Sequence, residues 1–201
     1  MKTLLFFVLA YLIGSIPFSH IFPKLKGKDV SQAGSKNIGA TNALVVAGPI
    51  MGALALIGDI LKGFLPIFFA LRYNLSPWTV TFIALALVAG HDFSVFLKFK
   101  GGKGLATTGG CLLAFDPIFA ILVLLIWILT IIVTRYFILS TIIVLGGLPL
   151  AMMVLGMRGE VVAFALGAFF LSLYAHRNDL MRLIAGQEVR ADDAVGKFLS
   201  K

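Results

Sequence analysis

Apolar residues run through this chain in long unbroken blocks, without the alternation of a half-buried strand or the one-sided stripe of a surface helix. Seven blocks stand out, at roughly 3–22, 46–71, 77–96, 104–115, 117–134, 137–157 and 160–175. A helix that spans a membrane needs about 20 mostly apolar residues to cross about 30 Å of hydrocarbon. The fourth block falls short of that. A short, glycine-flanked apolar segment marks helices whose ends are buried in protein around a site. Ser76-Pro77 and Asp116-Pro117 each predict a capping residue followed by proline at the first helical position, with Trp78 as an interfacial anchor. The pattern predicts an all-α polytopic membrane protein of seven transmembrane helices, forming one integral membrane domain over 1–201.

Composition narrows the class. Hydrophobic residues make up 60% of the 201, which excludes a soluble domain of this size. A β-barrel would show short alternating segments. The start, Met1-Lys2-Thr3 and an apolar run, has the outline of a signal peptide. Gly14-Ser15-Ile16-Pro17 lacks the small-x-small cleavage pattern and the run continues to Phe22, so it is expected to remain as the first span.

Charge gives the orientation. Of the 17 basic residues, thirteen fall on one side: Lys24, Lys26, Lys28, Lys36, Lys98, Lys100, Lys103, Arg135, Arg177, Arg182, Arg190, Lys197 and Lys201. Lys2, Arg72 and Arg158 fall on the other, and Lys62 lies within a span. The positive-inside rule then places the N-terminus outside and the C-terminus in the cytoplasm. The net charge of +8 speaks of orientation and contact with anionic lipid, not of nucleic acid. Cys111 is the single cysteine; it excludes an intrachain disulfide and points to no metal site.

The polar segments converge on the cytoplasmic face. Lys98-Phe99-Lys100-Gly101-Gly102-Lys103-Gly104 precedes the short fourth block. Glycines let backbone N–H groups approach an anion, and the start of a helix adds its positive end. The plainer alternative is a cytosolic turn with positive-inside lysines. Gly34-Ser35-Lys36-Asn37-Ile38-Gly39-Ala40-Thr41-Asn42 can wrap an anion or polyol with amides and hydroxyls, or be an ordinary turn-rich loop. Asp59 and Lys62 share a helix face and are expected to pair inside the bundle. His91, near a helix end, reads first as a hydrogen-bonded structural residue. His176, at the exit of the last span, can serve as a base or as a phosphate donor. Arg177 and Arg182 read as interfacial anchors, and Glu188 as an organiser of basic groups or a solvated acid. Signatures of nucleotide hydrolysis, zinc proteolysis and serine hydrolysis are absent, as is His-x4-Asp.

Five segments together resemble the PlsY-type acyl-phosphate:glycerol-3-phosphate acyltransferase family of bacterial membranes. The first motif is Gly34 to Asn42. The second is Gly90-His91 with Phe93, then Phe96 to Thr107. The third is His176-Arg177, Arg182-Leu183, Gly186 and Glu188. Gly14 to Pro17, and Gly58-Asp59 with Lys62-Gly63, also fit. The resemblance implies a cytosolic active site in the bacterial inner membrane. It also implies transfer of a fatty acyl group from acyl phosphate to glycerol 3-phosphate, giving lysophosphatidic acid without a cofactor or metal. Ser35, Lys103 and His176 would be catalytic. Lys36, Asn37, Thr41, Asn42, His91, Gly101, Gly102, Gly104, Thr107, Asp179 and Glu188 would bind substrate. Membrane lipid would be the remaining partner.

Two positions depart from the family pattern. Val45 stands where an arginine is usual, and Asp179 where an asparagine is usual. Valine offers no bidentate clamp for phosphate, and a carboxylate repels one. Lys36 is a candidate replacement cation. The departures leave two alternatives: a small anion transporter, or a divergent paralogue that binds without catalysis.

Overall fold

The computed structural model describes residues 2–193, with side chains from Leu4 onward; Lys197 and Lys201 of the charge pattern lie outside it. Every regular element among the described residues is helical: α1 Lys2–Ser15, α2 Phe18–Leu25, α3 Ala40–Ala47, α4 Pro49–Arg72, α5 Pro77–Asp92, a single 3-10 turn Val95–Leu97, α6 Leu105–Phe115, α7 Pro117–Thr134, α8 Phe137–Val154, α9 Gly159–Ala175 and α10 Arg177–Ile184. Five stretches are long and apolar enough to cross a membrane, and a sixth if α9 and α10, bent by 63°, form one span. The expected seven is matched only to that extent, because α6 has 11 residues.

Local chemistry explains the boundaries. Asp116 accepts a hydrogen bond from the Phe119 N–H at 3.0 Å and Ser76 one from Thr79 at 3.3 Å, each with proline next in sequence. Both expected caps are present. The first apolar block is not one helix. Pro17 has no N–H and disfavours helix at the preceding residue, so α1 ends there and the amphipathic α2 begins, the two together still making one apolar stretch, Leu4–Leu25. Helix α3 occupies a stretch read from sequence as loop. Gly48, at φ +90, and Pro49 then separate it from α4.

Small residues bring the helices together. A Cβ on Gly14 or Gly90 would run into the backbone of the other helix where α1 crosses α5. Gly63 and Gly110 do the same between α4 and α6. Close backbone approach of this kind drives helix association where lipid removes the hydrophobic driving force. The core between them holds Ile67, Leu87, Val88, Cys111, Met152 and Phe164. Helix α7 buries no residue and is the most hydrophobic of the long helices, with the Thr130 hydroxyl turned back onto the Ile126 carbonyl, as suits a helix facing lipid.

Candidate functional site

Two loops and a helix bend meet at the end of α5. After α5 the chain makes the turn Val95–Leu97, passes Lys98 and Phe99 in left-handed conformation, and folds back on itself. The Gly101 N–H donates to the Asp92 carbonyl at 3.0 Å, and the Gly102 N–H to the His91 carbonyl at 3.0 Å. These bonds satisfy the last carbonyls of α5, which a helix end leaves open. A Cβ on Gly101 would land on the His91 carbonyl. One on Gly102 would land on the His91 ring and the Ile38 carbonyl. These two glycines therefore serve close packing, and their amides are committed to α5 rather than offered to an anion. What remains for an anion is Lys103 and the start of α6. There Gly104, at φ +67, precedes the N–H groups of Leu105 to Thr107, which have no helical acceptor.

Beneath the loop lies a sealed cluster. Lys62 pairs with Asp59 at 2.8 Å and donates to the Ile16 carbonyl at 2.8 Å, holding the break between α1 and α2. Ser19 donates to the other Asp59 oxygen at 2.5 Å. The Thr107 hydroxyl lies 3.1 Å from the Asp59 carbonyl and 3.2 Å from His91 Nδ1. His91 and Thr107 are thus buried supports under Gly102. Asp92 is also buried, beside Gly104, with neither carboxylate oxygen hydrogen-bonded.

The first loop is organised around Asn42. Its amide nitrogen donates to the carbonyls of Val30, Ala33 and Asn37 at 2.9, 3.1 and 2.9 Å, and its oxygen accepts from the Ser35 N–H at 3.0 Å. Asn42 is buried, its two amide N–H groups shared among the three carbonyls. Gly34, at φ +61, lies so close to Asn42 that a Cβ would strike the amide oxygen. Ser35, Lys36 and Thr41 are exposed at the surface of this loop. The Asn37 N–H approaches the Ser35 hydroxyl at 3.4 Å. The loop meets the lysine loop where Ile38 touches Gly102.

The C-terminal bend closes the site. Lys103 Nζ donates to Asp179, Arg182 donates to the other oxygen of the same carboxylate, and Arg182 Nε donates to Glu188 at 2.8 Å. Arg182, read from sequence as an interfacial anchor, is the middle of this ionic chain. The signal available in the sequence was its spacing of three from Asp179 on one helix. Arg177 lies over the Tyr174 ring, with its guanidinium 4.2 Å from the ring centroid.

His176 sits at the bend, just past α9. Its Nδ1 lies 2.9 Å from the Ser172 carbonyl. A carbonyl only accepts, so Nδ1 carries the proton and Nε2 keeps its lone pair. Burial first, then the Lys103 cation, push the imidazole down to about 4. Ser172, which no sequence signal marked, thereby fixes the ring. Val45 is exposed on α3 and brings no charge.

The chain matches the family model described as glycerol-3-phosphate acyltransferase over residues 4–186. It is 40% identical over 186 residues to a glycerol-3-phosphate acyltransferase of Thermotoga petrophila, covering 92% of this chain and 94% of that one. It is 39% identical over 191 residues to one of Aquifex aeolicus, covering 94% and 100%. The fold is similar to the crystal structure of PlsY, an integral membrane glycerol 3-phosphate acyltransferase, in its glycerol 3-phosphate form. The TM-score is 0.88 at 38% identity, covering 94% of this chain and 96% of that one. The lysophosphatidic acid form of PlsY matches with a TM-score of 0.87 at 35% identity, covering 97% and 99%.

Proposed function

Because this chain belongs to the glycerol-3-phosphate acyltransferase family, we propose that it moves a fatty acyl group from acyl phosphate to glycerol 3-phosphate, forming lysophosphatidic acid. The chain is an integral membrane acyltransferase of phospholipid synthesis. The observation that carries the reading is the placement of Lys103. A glycine loop presents this cation at the start of a short helix, and α10 grips it from the far end of the chain. The site is one part of a single membrane unit in the bacterial inner membrane. The proposed topology has seven membrane helices, with α6 as a short one, the N-terminus outside and the site facing the cytoplasm.

Acyl phosphate is a mixed anhydride and needs no further activation. An acceptor hydroxyl oxygen attacks the acyl carbonyl carbon, the carbon–oxygen bond to phosphate breaks, and phosphate leaves with its electron pair. Holding both partners supplies proximity. Lys103 and the amides at the start of α6 meet the charge that develops. Ser35, Lys36 and Thr41 line the acceptor side of the loop built on Asn42, with Asn37 closing it, and Lys36 supplies the cation that Val45 lacks. His91, Thr107, Gly101, Gly102 and Gly104 set the loop's shape, and Glu188 holds Arg182. His176 Nε2 contacts substrate as an acceptor. An imidazole pushed down to about 4 is a weak base at neutral pH, so the hydroxyl proton passes to a phosphate oxygen. Ser35 has no histidine beside it, which favours direct attack over an acyl-enzyme.

The test is acyl transfer by the purified protein with palmitoyl phosphate and glycerol 3-phosphate. Lysophosphatidic acid that forms with the wild type and is lost in Lys103→Ala supports the reading. Folded wild-type protein that forms none returns the choice to a binding paralogue.

A further inference from the structure

The ionic chain Lys103–Asp179–Arg182–Glu188 contains two cations and two carboxylates, so its charges cancel. Asp179 is the pivot. Its side chain is buried and gives one oxygen to each cation. A phosphate that approaches Lys103 meets a cation whose charge is already answered, and a carboxylate in direct contact with it. Glu188 holds Arg182 from the other side, so Arg182 divides its charge between two carboxylates and offsets Asp179 only in part. The nearby first loop adds one cation, the exposed Lys36, and Val45 adds none.

We propose that Asp179 is an internal counter-anion, which competes with the substrate phosphate for Lys103 and Arg182 and so sets how weakly the acceptor is held. The proposal rests on the acyl-transfer reading for its substrate, but not for its electrostatics. In the empty protein the carboxylate keeps Lys103 aligned in place of a ligand. On binding, phosphate and carboxylate share the ammonium, or phosphate takes it and leaves Asp179 to Arg182. In the first case the ligand receives less than a full unit of opposing charge, and in the second its gain is offset by the Lys103–Asp179 pair that it breaks. Asp179 therefore sets the affinity of the phosphate site, and its charge, not its size, is the operative feature.

Asp179→Asn keeps the shape and one acceptor oxygen and removes the charge. Calorimetric titration of the purified protein with glycerol 3-phosphate, and separately with inorganic phosphate, reads the effect without turnover. The expected result is binding about tenfold tighter for both probes, equivalent to about 1.4 kcal/mol. Asp179→Glu, which restores the carboxylate, returns affinity to the wild-type level. In the acyl-transfer assay the gain falls on KM more than on kcat. Separate KM values for acyl phosphate and glycerol 3-phosphate identify which phosphate the carboxylate opposes. Unchanged or weaker binding in folded Asp179→Asn overturns the proposal, since a merely structural Asp179 predicts loss. If that variant does not fold, Asp179→Ser makes the same charge change in a smaller side chain and decides by the same criterion. Tighter binding together with no lysophosphatidic acid from the wild type would sink the acyl-transfer reading and leave the counter-anion standing.

Discussion

Two ion-pair clusters lie on either side of the glycine loop, and they are built for different ends. In the inner one, the side chains of Asp59 and Lys62 are 1% and 2% exposed, and serine, histidine, threonine and a backbone carbonyl occupy the remaining positions. In the outer one, Lys103 is 26% exposed and Arg182 48%, around a carboxylate at 7%. Sequence gives both clusters the same motif, an acid and a base three apart on one helix. Solvent access separates them. A sealed pair has no water to replace a lost partner, so it fixes structure. A pair within reach of water can exchange partners, so it can receive a ligand.

Breaking each pair exposes the contrast most sharply. Asp59→Ala leaves Lys62 charged and buried without its partner. The expected cost is about 3–5 kcal/mol of stability, read as a drop in the thermal unfolding midpoint in detergent. Replacing both residues, Asp59→Leu with Lys62→Met, should cost less than either single change, because no orphan charge remains. Singles that melt like the wild type would mean that the inner cluster is not sealed. Lys103→Ala should behave in the opposite way. Asp179 keeps Arg182, so the midpoint should change by the equivalent of about 1 kcal/mol or less. Turnover should fall by about a hundred- to a thousand-fold, as when a fixed donor to developing charge is removed. A large loss of stability from Lys103→Ala would erase the distinction between the clusters.

Gly102→Ala joins the two regions. The added methyl group enters space held by the His91 ring and the Ile38 carbonyl. The loop must shift, at an expected cost of about 1–3 kcal/mol. Because the shift moves Lys103 as well, turnover should fall along with the midpoint. Wild-type values for both would show that the loop has room the structure does not give it.

Local features of this arrangement were legible in the chain, and long-range ones were not. Ser76-Pro77 and Asp116-Pro117 announced their helices because a cap is chemistry within four residues. Asp59 and Lys62 announced their pairing for the same reason, through one helical turn. Lys103 and Asp179 are 76 residues apart, and nothing local ties one to the other. The glycines were legible as necessary but not for the right purpose. A tight approach to an anion and a tight approach to the end of α5 require the same missing Cβ. Asn42 was expected in the pocket and instead forms the post around which the pocket loop winds. Its three carbonyl partners lie at separations that no spacing rule selects. Asp179 read as a defect because its partners were out of view.

The smallest effect concerns His176, which reports the outer cluster without taking part in it. Its folded value of about 4 lies below the ordinary 6.5 because burial, and then Lys103, disfavour the imidazolium, while the Ser172 carbonyl and Asp179 act the other way. For a histidine held neutral, the stabilising contribution is complete above the unfolded value and declines as pH falls from about 6.5 to about 4. The ring should therefore show no titration near neutrality, and its acid transition should lie near 4. Histidine-labelled NMR titration of His176 reads this directly. Lys103→Met removes a like charge and should move the transition up, while Asp179→Asn removes an opposite charge and should move it down, each by about one pK unit or less. Opposite shifts would place both charges against the same ring. Shifts of the same sign would mean that the variants act by opening the bend to water, and the outer cluster would then be a hinge and not a charge-matched site.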